Sequence, residues 1–138
     1  MPDYMKMSVP GKPEFVGTVR MTAASVASHT GFDIEAIEDI KVAVSEACNN
    51  TVVHACKSNV TEYSVEFESA ETGLTITVSD EGTGYDVQTY EAPVIGELNE
   101  GGLGIFIIRA LMDEVDITSK PGTGTNIRMT KYLAKAIA

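Results

Sequence analysis

Within Ser45-Glu46-Ala47-Cys48-Asn49-Asn50-Thr51-Val52-Val53-His54, three side chains are spaced so that chemistry could run along one line. Glu46, Asn50 and His54 fall at i, i+4 and i+8. At about 100° per residue successive members drift by only ~40°, so a helix would carry all three on one face. A carboxylate there can act as a general base, the amide oxygen of Asn50 suits a hard cation, and the imidazole can contact a phosphate. Magnesium keeps several waters and substrate phosphates in its shell, so one asparagine oxygen is a reasonable protein ligand for it. The same stripe also fits a solvated helix face that ends in a capped or core histidine.

Three further clusters carry comparable possibilities. Asp80-Glu81-Gly82-Thr83-Gly84 follows the apolar run Leu74 to Val78. A carboxylate at a strand end accepts hydrogen bonds from an amino group, and Gly82 and Gly84 would let the backbone pass close to a flat ring or a phosphate. A plain turn has the same composition. Glu100-Gly101-Gly102-Leu103-Gly104 leads into a helix predicted over Ile105 to Met112. Glycines at a helix start expose backbone N–H groups at the positive end of the macrodipole, which favours an anion; a flexible hinge is the other reading. No Gly-Lys-Ser/Thr follows, which excludes a P-loop, and no strand precedes, which excludes a dinucleotide fingerprint. Gly122-Thr123-Gly124-Thr125, entering the last strand, reads in isolation as a hairpin turn.

Hydrophobic periodicity outlines the scaffold that must position these groups. Tyr4 to Val9 alternates large and polar residues and is closed by Pro10 and Gly11, a short strand. Pro13 suits a first helical turn, and Phe15, Val16, Val19, Met21, Ala23, Val26 and Ala27 predict a helix to about Ser28, ending near Gly31. Asp33 is the expected N-cap of a second helix, whose stripe of Ile34, Ile37, Ile40, Val44, Ala47 and Val52 runs to about Ala55. The period then switches to two over Glu62 to Glu68 and Leu74 to Val78, a hairpin about Thr72-Gly73. Gly82 to Gly102 holds five glycines and Pro93 without periodicity, a long loop of the kind that is usually functional. Helical spacing returns at Leu103, Phe106, Ile107, Ala110 and Leu111, and two strands close the chain around Val115 to Thr118 and Ile127 to Thr130. With no repeat, linker or charge block, this order predicts one α+β domain. It is expected to be a two-layer α/β sandwich with helices on one face of a mixed, mainly antiparallel sheet.

Composition narrows the function classes. The chain has 138 residues, long enough to bury a core without disulfides or metals, and its 43% apolar and 22% charged residues exclude a disordered or low-complexity protein. Against 10 Lys and Arg stand 20 Asp and Glu, a formal charge of -10, which argues against direct nucleic-acid binding and for a basic or apolar protein partner. Cys48 and Cys56 on one helix would be separated by ~12 Å of rise, too far to bridge, which points to a reducing compartment. The first residues lack a basic stretch followed by an apolar one, and runs such as Ile105 to Ile108 are far below spanning length. A soluble, cytoplasmic protein without membrane contact is expected.

Taken in order, the Glu/Asn helix, the Asp-x-Gly-x-Gly turn, the long loop, the Gly-rich helix start and the Gly-Thr strand entry follow the Bergerat-type (GHKL) ATP-binding fold. Histidine kinases, gyrase, Hsp90 and mismatch-repair ATPases share that order. Within it, Ile37 to Cys48, Glu100 to Ile105 with Leu111 to Val115, and Met129 to Leu133 resemble the RsbW-type anti-sigma-factor serine kinases. The resemblance implies ATP and Mg2+ as cofactors, with Glu46 the general base, Asn50 the Mg2+ ligand, and Asp80 the contact of the adenine amino group. It implies Gly82 and Gly84 beside the base, Gly102 and Gly104 near the phosphates under a lid over about 85–101, Thr125 supporting Asp80, and His54 and Leu103 among the nucleotide-binding residues, with no specific role assigned to His54. Arg20 matches a partner-contacting position, and the first strand and helix match a homodimer contact. Thr51 stands where alanine often follows the asparagine, and Asn126 where a second threonine is common. The implied activity is phosphorylation of a serine of an RsbV-type anti-anti-sigma protein, alternating with sequestration of a sigma-B-type alternative sigma factor by partner switching. The competing reading is a non-catalytic nucleotide-binding anti-sigma module, against which the intact Glu46 speaks. A detached histidine-kinase catalytic domain is disfavoured because no phospho-acceptor helix pair fits in 138 residues.

Overall fold

The computed structural model of the chain describes residues 1–54, 61–80, 100–120 and 124–134. Strand β1 (Asp3–Pro10) is followed by a 3-10 turn (Pro13–Phe15), helix α1 (Val16–Thr30) and helix α2 (Ile34–His54). Strands β2 (Glu62–Ser69) and β3 (Gly73–Ser79), helix α3 (Glu100–Leu111), and strands β4 (Glu114–Lys120) and β5 (Gly124–Tyr132) complete the order. The strands lie side by side as β1-β2-β3-β5-β4, and each of the four pairings is antiparallel.

Period-two alternation divides the sheet into two faces. Tyr63, Val65 and Phe67 of β2, Leu74, Ile76 and Val78 of β3, and Ile127 and Met129 of β5 are buried. Against them pack Val19, Ala23 and Ala27 of α1 and Ile40, Ala43, Val44 and Ala47 of α2. Burying each large aliphatic side chain contributes roughly 1.5–3 kcal/mol, so Ile76→Ala at the centre of this core would cost about 2–5 kcal/mol. On the opposite face Glu66, Glu68, Thr75, Thr77, Asn126 and Arg128 line a shallow polar depression. No helix among the described residues is long and apolar enough to cross a membrane.

The helix ends follow from local chemistry. The α1 C-cap is Gly31 in the left-handed region at φ 115°, where its N–H donates to the carbonyls of Ala27 (3.2 Å) and Ser28 (3.1 Å). The Asp33 carboxylate accepts the Ala36 N–H at 2.9 Å, the expected N-cap of α2. Helix α3 departs from expectation: it begins at Glu100, not Ile105, so the glycines at 101, 102 and 104 are inside the helix rather than ahead of it, as are the last two residues of the expected lid. Each interior glycine costs a helix about 1 kcal/mol; at Gly104 the missing side chain is what allows the close approach of α3 to α2 described below. At its other end α3 is tied down by Lys131 of β5, whose Nζ donates to the Leu111 carbonyl at 2.7 Å and lies 3.9 Å from Asp39 of α2.

Candidate functional site

The predicted line runs along the flank of the buried face of α2 and is graded in burial. Glu46 is half-buried, Asn50 is only 6% exposed, and His54, the last helical residue, is exposed. All three line one cavity of about 420 Å³, together with Pro13 and Leu103. Among the described residues the Asn50 Oδ1 has no hydrogen-bond partner. An unsatisfied buried acceptor costs about 1–3 kcal/mol, so the Asn50 oxygen is a group that a water, a cation or a ligand donor would satisfy. Its neighbour Thr51 is buried as well, but its hydroxyl donates to the Ala47 carbonyl at 3.1 Å. Threonine in place of alanine therefore leaves no orphan and keeps the helix intact.

Helix α3 closes the cavity from the side. A Cβ placed on Gly104 would stand 3.1 Å from Glu46 Oε2 and 3.9 Å from Glu46 Cβ, so the absence of a side chain there lets the two helices meet at the carboxylate. Leu103 lines the cavity, and Gly102 sits in the first turn of α3, the end at which a helix favours an anion.

The sheet contributes a polar row. Val78, Ile127 and Ile117 are in register across β3, β5 and β4 on the helix-facing side. The next positions on that face are Asp80, Thr125 and Ser119. The Asp80 N–H donates to the Thr125 carbonyl at 2.9 Å, and the Thr125 hydroxyl, on a residue 7% exposed, lies 2.8 Å from the Ser119 hydroxyl. Asn126 faces the other way and accepts from the Ser79 hydroxyl at 3.0 Å, so the missing second threonine falls on the open face of the sheet.

Glu46, Asn50, His54 and Leu103 thus share one cavity, with Gly104 against Glu46, while Asp80 and Thr125 share the sheet end. Gly82, Gly84 and the expected lid before Glu100 lie outside the described residues. Arg20 stands exposed on α1 and is not part of the cavity lining. Pro13 is legible in the sequence only as a first-turn residue, with nothing local to mark it as cavity lining, and only strand register brings Ser119 beside Thr125. Cys48, between Glu46 and Asn50 in sequence, points into the core: burial pushes its thiol up to about 12, opposed by a hydrogen bond from Tyr63.

Residues 9–131 match the histidine kinase-like ATPase domain family. The serine-protein kinase RsbW of Bacillus licheniformis is 41% identical over 141 residues, covering 95% of this chain and 86% of the relative. That of Oceanobacillus iheyensis is 43% identical, covering 96% of this chain and 89% of the relative. Among solved structures, the RsbU and RsbW domains of a Mycobacterium tuberculosis protein align at a TM-score of 0.69 and 21% identity, over 94% of this chain and 32% of that one. The histidine kinase domain of a blue-light activated kinase from Erythrobacter litoralis aligns at 0.61 and 21% identity, over 92% and 63%. At such identity the structures speak for the fold, a helix-covered antiparallel sheet, while the sequence relatives speak for the family. The chain belongs to the RsbW-type serine-protein kinases of the histidine kinase-like ATPase family.

Proposed function

We propose that the protein transfers the terminal phosphoryl group of ATP to a serine of an RsbV-type anti-anti-sigma protein, and in its alternative engagement sequesters a sigma-B-type alternative sigma factor. The observation that carries the reading is the buried, unpartnered Asn50 Oδ1 in a cavity beside Glu46. A neutral oxygen left without a donor fits a hard cation, and Asn50 is the residue that would hold Mg2+. When bound, Mg2+ supplies positive charge to the phosphate oxygens as negative charge develops on them.

The chain's own residues do the rest. Glu46 accepts the proton of the incoming serine hydroxyl as its oxygen attacks the terminal phosphorus and the bond from that phosphorus to the bridging oxygen of ADP, the leaving group, breaks. The first turn of α3, with Gly102 and Leu103, faces the phosphates with backbone N–H groups, and Gly104 keeps Glu46 against that helix. His54, exposed in the lining of the same cavity, offers an imidazole to the phosphates. Asp80 accepts a hydrogen bond from the adenine amino group, with Thr125 holding its backbone and Gly82 and Gly84 flanking the base. A local positive field of cation, helix terminus and amides makes a basic patch unnecessary, which reconciles a chain of charge -10 with a phosphate ligand.

Partner exchange follows from the same chemistry. Unphosphorylated antagonist draws the kinase from the sigma factor, and phosphorylation releases it to bind sigma again. Arg20 on the exposed side of α1 serves partner contact. A homodimer through β1 and α1 is supported by a shallow groove between them that includes Met5 (43% exposed) and Met21 (64% exposed). The test separates the two ends of the site. Glu46→Gln should retain nucleotide and lose transfer, whereas Asp80→Asn should weaken ATP binding itself; equal loss of nucleotide affinity in both contradicts the assigned roles. Sigma binding without any phosphoserine on the antagonist would favour the non-catalytic module instead.

A further inference from the structure

We propose that Ser119 is a positioning residue for adenine recognition: it fixes the Thr125 hydroxyl and, through Thr125, the sheet end that presents Asp80. This rests on the reading of Asp80 as the adenine contact.

Ser119 and Thr125 are directly paired in the β4–β5 register, and their hydroxyls are 2.8 Å apart. The Ser119 hydroxyl also lies 3.4 Å from the carbonyl of Gly124, the residue that turns the chain into β5 at φ 94°. Thr125 is buried, so its hydroxyl needs a partner, and Ser119 supplies one from the adjacent strand. A hydroxyl has one hydrogen and two acceptor sites, so a Thr125 hydroxyl oriented by Ser119 still has capacity toward a ligand on its other side. The Thr125 backbone is engaged at the same time, because its carbonyl accepts the Asp80 N–H at 2.9 Å. Ends of β3, β5 and β4 are thereby linked in one chain, Asp80 to Thr125 to Ser119. One step inward the same three strands present Val78, Ile127 and Ile117, so the polar row begins where the apolar core stops. A serine at this edge-strand position does more than face water: it sets the geometry of a buried threonine that touches Asp80.

The experiment measures affinity for ATP and GTP, which differ at the purine amino group, in wild type, Ser119→Ala, Ser119→Thr, Thr125→Val and the Ser119→Ala/Thr125→Val double variant. Asp80→Asn serves as the reference for the adenine contact. Loss of one hydrogen bond predicts that Ser119→Ala binds ATP about 3–10-fold more weakly with GTP affinity unchanged. Ser119→Thr should restore the wild-type preference, and the double variant should be no weaker than Thr125→Val alone. If Asp80→Asn weakens ATP binding but Ser119→Ala keeps the wild-type ATP to GTP ratio, loses both nucleotides equally, or multiplies with Thr125→Val, the inference is overturned and the Asp80 reading stands. If Asp80→Asn leaves ATP affinity intact, the Asp80 reading fails and takes the inference with it.

Discussion

Replacing Gly104 by alanine sets two magnitudes against each other at one atom. Gly104 is not among the glycines with positive φ, so alanine can adopt its backbone, and an interior Gly→Ala change favours a helix by about 1 kcal/mol. The new methyl, however, would lie 3.1 Å from Glu46 Oε2, inside ordinary carbon–oxygen contact, so the carboxylate or the helix must give by a few tenths of an ångström. Misplacement of a reacting group by 1 Å can cost about 10²-fold in rate, so a shift of this size should lower kcat by about 3–10-fold. The assay pairs steady-state phosphoryl transfer with a separate nucleotide affinity and a thermal melt. The expected outcome is a lower kcat, ATP affinity within about two-fold, and a Tm that is unchanged or higher, because helix propensity and the close contact act in opposite directions. An unchanged kcat in a variant that melts at or above wild type would refute the placement of Glu46 at the reacting centre. A kcat loss that merely tracks a lower Tm would refute the steric argument.

Three further outcomes follow from the structure. Asn50→Ala removes the orphaned buried acceptor, so the ligand-free protein should melt no lower than wild type while the stabilisation by Mg2+ and ATP disappears; a variant that still gains stability from Mg2+ with ATP contradicts the ligand role. The raised Cys48 thiol keeps its proton in the folded state while the unfolded chain loses it above about pH 8.5, so folding stability should fall with rising pH toward the folded value of about 12. The slope should reach about 1.4 kcal/mol per pH unit, cancelled in Cys48→Ala; parallel denaturation curves for the two proteins from pH 8 to pH 11 would show that burial of this thiol does not matter. A chain of charge -10 should meet the basic, nucleic-acid-binding surface of a sigma factor with an association rate that drops with ionic strength, and a salt-insensitive rate would remove electrostatic steering from the account.

Much of this architecture was legible because it is written in short-range periodicity. The Asp33 cap and the alternation of β2 and β3 each follow from side-chain spacing, and the structure repeats them nearly residue for residue; of the expected α2 stripe Ile40, Val44 and Ala47 are buried, whereas Ile34, at the helix start, stands 80% exposed. The α3 start was misplaced because propensity counts glycines against a helix, whereas Gly104 is what lets α3 pack on Glu46. The line Glu46, Asn50, His54 could be read from helical geometry alone, but its burial gradient, and the orphaned oxygen that gives Asn50 its meaning, depend on packing. Ser119 was invisible for a different reason. Its pairing with Thr125 depends on the β4–β5 register across a turn, and a one-residue slip would face it to the other side. Asn126 shows the converse, a departure from the family pattern that strand alternation turns onto the open face of the sheet.

The most direct test of serine-kinase chemistry at Glu46 is to incubate the purified protein with Mg2+, γ-labelled ATP and its antagonist, and to identify the labelled residue. The account predicts label on one antagonist serine with wild-type enzyme, and none with Glu46→Gln even though that variant still binds nucleotide. Label that persists in Glu46→Gln, or that appears on histidine, would contradict it.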